Sequence, residues 1–269
     1  MKRLFAGILG AFCLVLPAAA DETDEAALSR DELFERFDWN PEATEIKVQK
    51  VADGLHVLFG LGGNIAVSIG ESGTLIVDDQ LPEMMPKIEA AIAKIGGQHI
   101  DFAINTHWHF DHADGNLALG PAGTWLVSQA KSRDMMTAPR ILNLTVARYR
   151  QESYPANARP VITFDDQMSF HFNGERIDLI HPGPAHTTGD AAVIFRNHNA
   201  VHMGDVFNNA GYPFIDADSG GEIDGMIEFC EAVLVEMKPG AIVIPGHGEV
   251  TDDAALGRYV EMLKTVRGS

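Results

Sequence analysis

From residue 46 onward the chain is built of short apolar runs separated by Asp-Gly, Gly-Gly and Ser-Gly pairs. EIKVQKV, LHVLFG, NIAVSIG and TLIVDD have strand length and a high share of β-branched residues, and the pairs between them predict tight turns. Apolar residues then recur at helical spacing in EMMPKIEAAIAKI, residues 83–95, which Gly96-Gly97 ends. DFAINT reads as a further strand, TWLVS as another, and SQAKSRDMM as a helix. A polar stretch with several prolines near residues 139–160 predicts a flap or a partly helical connection. VITF, MSFHF, RIDLIHP, AAVIFRN and AVHMGDVF read as strands; a helix over 224–237, the strand AIVIPG and a last helix over 253–266 complete the pattern. Two groups of strands, each followed by helices, predict an α/β fold: an αββα sandwich of two face-to-face sheets flanked by helices. Nothing in residues 46–269 reads as a linker, so they form one expected domain.

The N-terminal residues follow a different grammar. In MKRLFAGILGAFCLVLPAAA, Lys2 and Arg3 precede an apolar run from Leu4 to Leu16, and Ala18-Ala19-Ala20 offers a cleavage site. This predicts a signal peptide over 1–20 and a periplasmic or secreted location. The run is shorter than the ~20 residues a membrane span needs, and acidic DETDE follows at once. Residues 21–45 read as an acidic arm with a short helix around DELFERF. With 38 acidic against 20 basic residues, the formal charge is −18, which disfavours nucleic acid and anionic membranes as partners. Of the two cysteines, Cys13 lies in the leader, so Cys230 has no partner for a disulfide after cleavage. In MIEFCEAVLVEM it is expected to be a buried helix residue.

Charge and pattern do not explain residues 105–116, NTHWHFDHADGN. The chain has 11 histidines, and three of them, His107, His109 and His112, fall within six residues, with Asp111 between them. His107 and His109 are two apart at the end of a strand, so in extended backbone their rings point the same way. Asp111 and His112 come after the chain has begun to turn and can face a neighbouring point. Imidazole with carboxylate suits Zn²⁺, and ligand type also admits iron or manganese. One cluster cannot complete two coordination shells, and three further candidates stand at strand ends. His186 follows RIDLIHPGPA, Asp205 ends AVHMGD, and His247 sits in AIVIPGHG, where Gly246 and Gly248 let the backbone approach closely. His181 is a rival to His186, expected instead to be held by a hydrogen bond; His56, His99, His171, His198 and His202 read as structural or surface groups.

HxHxDH followed by separate His, Asp and His resembles the metallo-β-lactamase superfamily over about residues 46–266. The resemblance implies that fold, with a first metal on His107, His109 and His186 and a second on Asp111, His112 and His247. Asp205 would bridge the two, and Asp111 and Asp205 are the implied catalytic carboxylates. It also implies an orienting role for Asp78, at the end of TLIVDD, beside a ligand imidazole. Asp114 and Asn116 are expected to cap the helix after the metal loop, and Tyr212 is a candidate for reaching substrate. Two Zn²⁺ ions with two carboxylates leave residual positive charge, which moves the pKa of water from 15.7 toward roughly 7 and lets the resulting hydroxide attack a carbonyl.

The scaffold fixes reaction type better than substrate. An exported metal-dependent hydrolase meets small amides and esters, so β-lactams lead, with lactones, esters and a glyoxalase II-like thioester as alternatives. Zinc β-lactamases usually carry cysteine or serine at the bridging position, where this chain has Asp205. Glyoxalase II binds its anionic substrate through cations after the bridging aspartate, and DVFNNAGYPFIDADSGGEID has no lysine or arginine. Outside hydrolysis stand an iron-dependent sulfur-metabolism oxidoreductase and a non-catalytic metal-binding module.

Overall fold

The computed structural model describes residues 27–268; the expected signal peptide, residues 1–20, lies outside them. Helix α1 (Arg30–Phe37) comes first, followed by strands β1 (Lys47–Ala52), β2 (Leu55–Phe59), β3 (Ile65–Gly70) and β4 (Gly73–Val77). Then come α2 (Met85–Lys94), β5 (Ile100–Asn105), α3 (Phe110–Ala113), α4 (Asn116–Ala122), β6 (Trp125–Gln129) and α5 (Ala130–Met135). A hairpin, β7 (Arg140–Leu144) with β8 (Ala147–Gln151), precedes β9 (Ile162–Phe164). The second half holds β10 (Gln167–Phe172), β11 (Glu175–Ile180), β12 (Ala192–Phe195) and β13 (Ala200–His202). It closes with α6 (Ile223–Glu236), β14 (Ile242–Ile244), β15 (Thr251–Asp252) and α7 (Asp253–Arg267).

The two sheets are both mixed. One has the order β1-β2-β3-β4-β5-β6-β9, antiparallel from β1 to β4 and parallel from β4 onward. The other runs β10-β11-β12-β13-β14-β15, with β13 and β14 its parallel pair. Three apolar clusters account for the layers. Val57, Val77, Ile104, Leu179, Val193 and Ile244 belong to the cluster shared by the two sheets. Ile76, Ile88, Ile92 and Trp108 belong to the cluster beneath α2, and Met226, Cys230, Tyr259 and Leu263 to the one beneath α6 and α7. This is the αββα sandwich. Central strands are covered on both sides, which is why β3 and β4 read as nearly unbroken apolar runs. In α7, Leu256, Tyr259, Val260 and Leu263 form one buried stripe at helical spacing.

Two segments differ from the expectation. Residues 139–160 are an antiparallel hairpin with a short 3-10 turn at Ala156–Ala158. AVHMGDVF is strand only to His202; Gly204–Val206 is a 3-10 turn, with Gly204 at φ 51°, so the backbone leaves the sheet where Asp205 must turn. Cys230 is buried in α6, as its surroundings predict. Among the described residues no helix is long and apolar enough to cross a membrane.

The last residues of the N-terminal arm are fastened by a lysine of α2. Lys87 Nζ donates to the carbonyls of Pro41, Glu42 and Thr44 at 2.8, 2.6 and 2.7 Å, using all three of its hydrogens. Lys87→Met is expected to lower stability by about 1.5–3 kcal/mol, read as a lower midpoint in urea. An unchanged midpoint would mean the arm's anchorage adds nothing to folding.

Candidate metal centre

In an open sheet, groups at the carboxyl ends of parallel strands share one crevice, and this fold applies the rule twice. Asp78 follows β4 and the histidine loop follows β5; Asp205 follows β13 and His247 follows β14. His186 enters from the loop between β11 and β12. Donor atoms of His107, His109 and His186 lie within 4.8 Å of one another, as do those of Asp111, His112 and His247, and those of His107, His112 and Asp205.

The Asp205 carboxylate faces both groups. Its Oδ1 stands 3.1 Å from His112 Nε2 and 3.4 Å from His247 Nε2, while Oδ2 is 3.9 Å from His186 Nε2. Close backbone approach makes room for it: a Cβ built on Gly246 would sit 2.0 Å from Asp205 Oδ1, and one on Gly63 would sit 2.2 Å from the His112 ring. Both glycines are required by space.

Four of the five imidazoles have their outward nitrogen tied down. His107 Nδ1 meets Thr106 Oγ1 at 3.0 Å, His109 Nε2 meets Asp216 Oδ2 at 2.9 Å, His186 Nδ1 meets the Phe214 carbonyl at 2.8 Å, and His112 Nδ1 meets Asp78 Oδ2 at 2.7 Å. A carbonyl and a carboxylate only accept, and the Thr106 hydroxyl spends its one hydrogen on Asp78 Oδ2, so these rings carry hydrogen on the outward nitrogen. The inward nitrogens of neutral rings are then lone pairs. His109 Nδ1 and His186 Nε2 face each other at 3.0 Å, and buried His107 Nε2 and Asp205 Oδ1 have no hydrogen-bond partner. Lone pairs converging in a buried space require a cation between them, and this donor set fits divalent metal.

Without metal the two groups differ in proton content. Burial, reinforced by neighbouring histidines, pushes His107 well below the usual imidazole range and His186 down to about 4. Burial acts the same way on His112 and His247, but the carboxylates Asp205 and Asp111 outweigh it. They hold His112 well above its ordinary value and His247 up at about 10. Asp205 and Asp111 resist their own burial and stay low because those imidazoles face them. A metal entering the second group must therefore displace protons. Metal binding is expected to release them, with affinity rising as pH rises toward 10. Calorimetry in buffers of different ionisation enthalpy measures this, and identical heats in all of them would contradict it.

The profile of the Metallo-beta-lactamase superfamily matches residues 60–251. The chain belongs to that superfamily. With its metal-ligating clusters in place, it is a metal-dependent hydrolase. Its fold is similar to solved structures of the same kind. A metallo-beta-lactamase from Pontibacter korlensis superposes with a TM-score of 0.68 at 15% identity, covering 82% of this chain and 99% of that one. The DIM-1 metallo-beta-lactamase gives 0.66 at 19% identity, covering 82% and 98%.

The other expected residues divide. Asp78 is fully buried against His112, and His181 is held by the Asp190 carbonyl at 2.7 Å. Tyr212 is 91% exposed, and Phe214, two residues on, packs against the cluster instead, with ring centroids 5.5 Å from His186 and 6.1 Å from His109. Asp114 and Asn116 are not side-chain caps. Gly115 holds the cap position of α4 without one, Asn116 donates to Asn105 Oδ1, and Asp114 accepts from Arg30 and Tyr154. Thr106 and Asp216, both partners of cluster histidines, carry no motif that a sequence reading would single out.

Proposed function

We propose that this chain hydrolyses small carbonyl compounds at a dinuclear zinc centre, with β-lactams the leading substrate class. Asp205 carries the reading, because a single carboxylate faces both ligand groups and so favours two ions at bridging distance. In this reading His107, His109 and His186 hold one ion, and Asp111, His112 and His247 hold the other. When bound, such a pair supplies Lewis acidity and brings the pKa of water toward roughly 7.

The chain's own residues set the rest. His107, His109, His112 and His186 are at most 3% exposed, whereas the side chains of His247, Asp111 and Asp205 are 26%, 14% and 10% exposed. Substrate therefore approaches from the Asp111–His247 side. A cavity of about 630 Å³ lies beside that opening, lined by Phe59, Gly62, Asn64 and Gly248, with Lys47 and Glu249 its charged residues. Its volume suits a small molecule, and Lys47 offers a cation to a substrate carboxylate. Asn64 fixes this wall, its Nδ2 donating to the carbonyls of Pro245 and Gly248 at 2.9 and 2.8 Å. The resemblance of the fold to solved metallo-β-lactamases supports the β-lactam choice, and export, proposed from residues 1–20, would bring such compounds within reach.

Asp205 also sets the expected rate. An added bridging carboxylate lowers the centre's positive charge and weakens its pull on a carbonyl, so β-lactam opening is expected to be slow. A panel of β-lactams, lactones, esters and thioesters on zinc-loaded protein tests the reading. Asp205→Cys is expected to raise β-lactam turnover by about tenfold, equivalent to roughly 1.4 kcal/mol of barrier. Preference for a lactone or ester would replace the substrate class, and absence of turnover on the whole panel would end the proposal.

A further inference from the structure

We propose that Arg30 and Tyr154 are positioning residues of the metal loop, acting through the buried carboxylate of Asp114. The inference rests on the reading that the histidine–aspartate cluster binds two divalent ions. Asp114 stands two residues beyond His112 and closes α3. Its side chain is 5% exposed, with Oδ2 accepting from Arg30 Nη1 at 2.5 Å and Oδ1 from the Tyr154 hydroxyl at 2.5 Å. The rest of the Arg30 guanidinium forks onto Glu83, Nε at 2.9 Å and Nη2 at 2.8 Å. From the same hairpin as Tyr154's lead-in, Gln151 Nε2 donates to the Trp108 carbonyl at 2.9 Å. The loop is thus held at both ends: at Trp108, between His107 and His109, and at Asp114, just past His112.

The arm is built to deliver Arg30. Ser29 and Glu32 form a capping box at the start of α1, Leu33 is buried, and the Arg30 guanidinium lies 5.0 Å from the Phe34 ring centroid. Arg30 lies outside residues 60–251, which the superfamily profile matches, and reaches across to Asp114 and the residues around Tyr154 inside them. The physical basis of this brace is charge. A buried carboxylate that loses its cation must be rehydrated, drawn toward solvent or neutralised by a proton, and the charge-assisted bonds that fix its position are lost in each case. The backbone of Asp114 is continuous with that of the loop: its amide donates to the Phe110 carbonyl and those of His112 and Ala113 to the His109 carbonyl, so a shift of the Asp114 backbone is passed to His112.

The test uses the full chain and zinc, with affinity read by competition against a chromophoric chelator and geometry read from the visible spectrum of the cobalt-substituted protein. Arg30→Met is expected to bind the weaker of the two ions about tenfold less tightly, the low end of the 10–100-fold range for losing a direct partner of a metal ligand because Arg30 acts one step further out, and to shift the cobalt spectrum. Adding Asp114→Asn to Arg30→Met removes the stranded charge and is expected to restore affinity to within about threefold and return the spectrum. A lower melting temperature with both affinities and the spectrum unchanged would make the brace merely structural and overturn the inference. Tyr154→Phe, which removes one hydroxyl, is expected to weaken the same ion several-fold and serves if Arg30→Met does not fold; unchanged binding there overturns the inference equally. Uptake of no ion by the unaltered chain would overturn both this inference and the functional reading, whereas two ions bound equally by all variants would overturn this one alone.

Discussion

Replacing His107 or Asp111 with alanine is expected to reduce hydrolysis by more than about 100-fold in a chain that still folds, since even outer partners of metal ligands are worth about 10–100-fold. The two variants should fail differently. His107 Nε2 is a buried lone pair with no protein partner, so His107→Ala removes a donor on which nothing but a cation depends. Its ring is fully enclosed between those of His109, His112 and His186, and the loss leaves a hole that costs stability as well. Asp111 is partly open to solvent, and its carboxylate pairs with His112 and His247. Its backbone carbonyl also accepts from Gly63, and alanine keeps that bond. Asp111→Ala loses the pairing with protonated His112 and His247 but leaves no buried hole, so it should lower the metal-free melting temperature less than His107→Ala does, while binding one ion firmly in place of two. Metal content per chain, measured beside turnover, separates the cases. Full turnover in either variant would remove the metal-centred reading.

How far the sequence revealed this site follows from how local each contact is. HWHFDH was readable because its ligands share one turn of backbone, and Asp205 and His247 because each closes an apolar strand. The layers were readable too, since central strands covered on both faces leave unbroken apolar runs. The β7–β8 hairpin was not. Of its strands RILNL and ARYRQ only Leu142, Tyr149 and Gln151 are buried, which is too few for a period to stand out. Asp216 carries no sequence signal because its partner His109 is 107 positions away, and Asp114 resembles a helix cap in sequence because the cation that claims it lies 84 positions upstream. Charge pairs across such separations leave no trace in spacing. Backbone strain is equally invisible: nothing in TLIVDDQ announces that Asp78 and Gln80 have φ of 62° and 56°.

That strain bears on the second large effect, expected at Asp78. A non-glycine residue at positive φ costs on the order of 1 kcal/mol and persists where its surroundings require it. Here the requirement is a carboxylate that is fully buried and accepts three hydrogens. Oδ1 takes the Thr106 amide at 2.7 Å, and Oδ2 takes the Thr106 hydroxyl at 2.8 Å and His112 Nδ1 at 2.7 Å. Through the Thr106 hydroxyl, which in turn accepts from His107 Nδ1, one acid orients a ring in each ligand group. Asp78→Ala strands those donors at about 1–3 kcal/mol apiece and should destabilise the fold by roughly 3 kcal/mol or more. Asp78→Gly relieves the backbone and should recover about 1 kcal/mol of that without recovering metal binding, which divides strain from lost chemistry. Asp78→Asn is the sharper variant. Its carbonyl oxygen can keep the Thr106 amide, but its amide nitrogen, in the place of Oδ2, then offers hydrogens to the Thr106 hydroxyl and to His112 Nδ1. The ring would answer by moving its own proton to Nε2, the nitrogen that faces Asp205 and His247. A protonated Nε2 cannot ligate. Asp78→Asn should thus hold most of its stability yet lose at least tenfold in affinity for the ion on the His112 side, and two ions bound at unaltered affinity would mean that some other group fixes that tautomer.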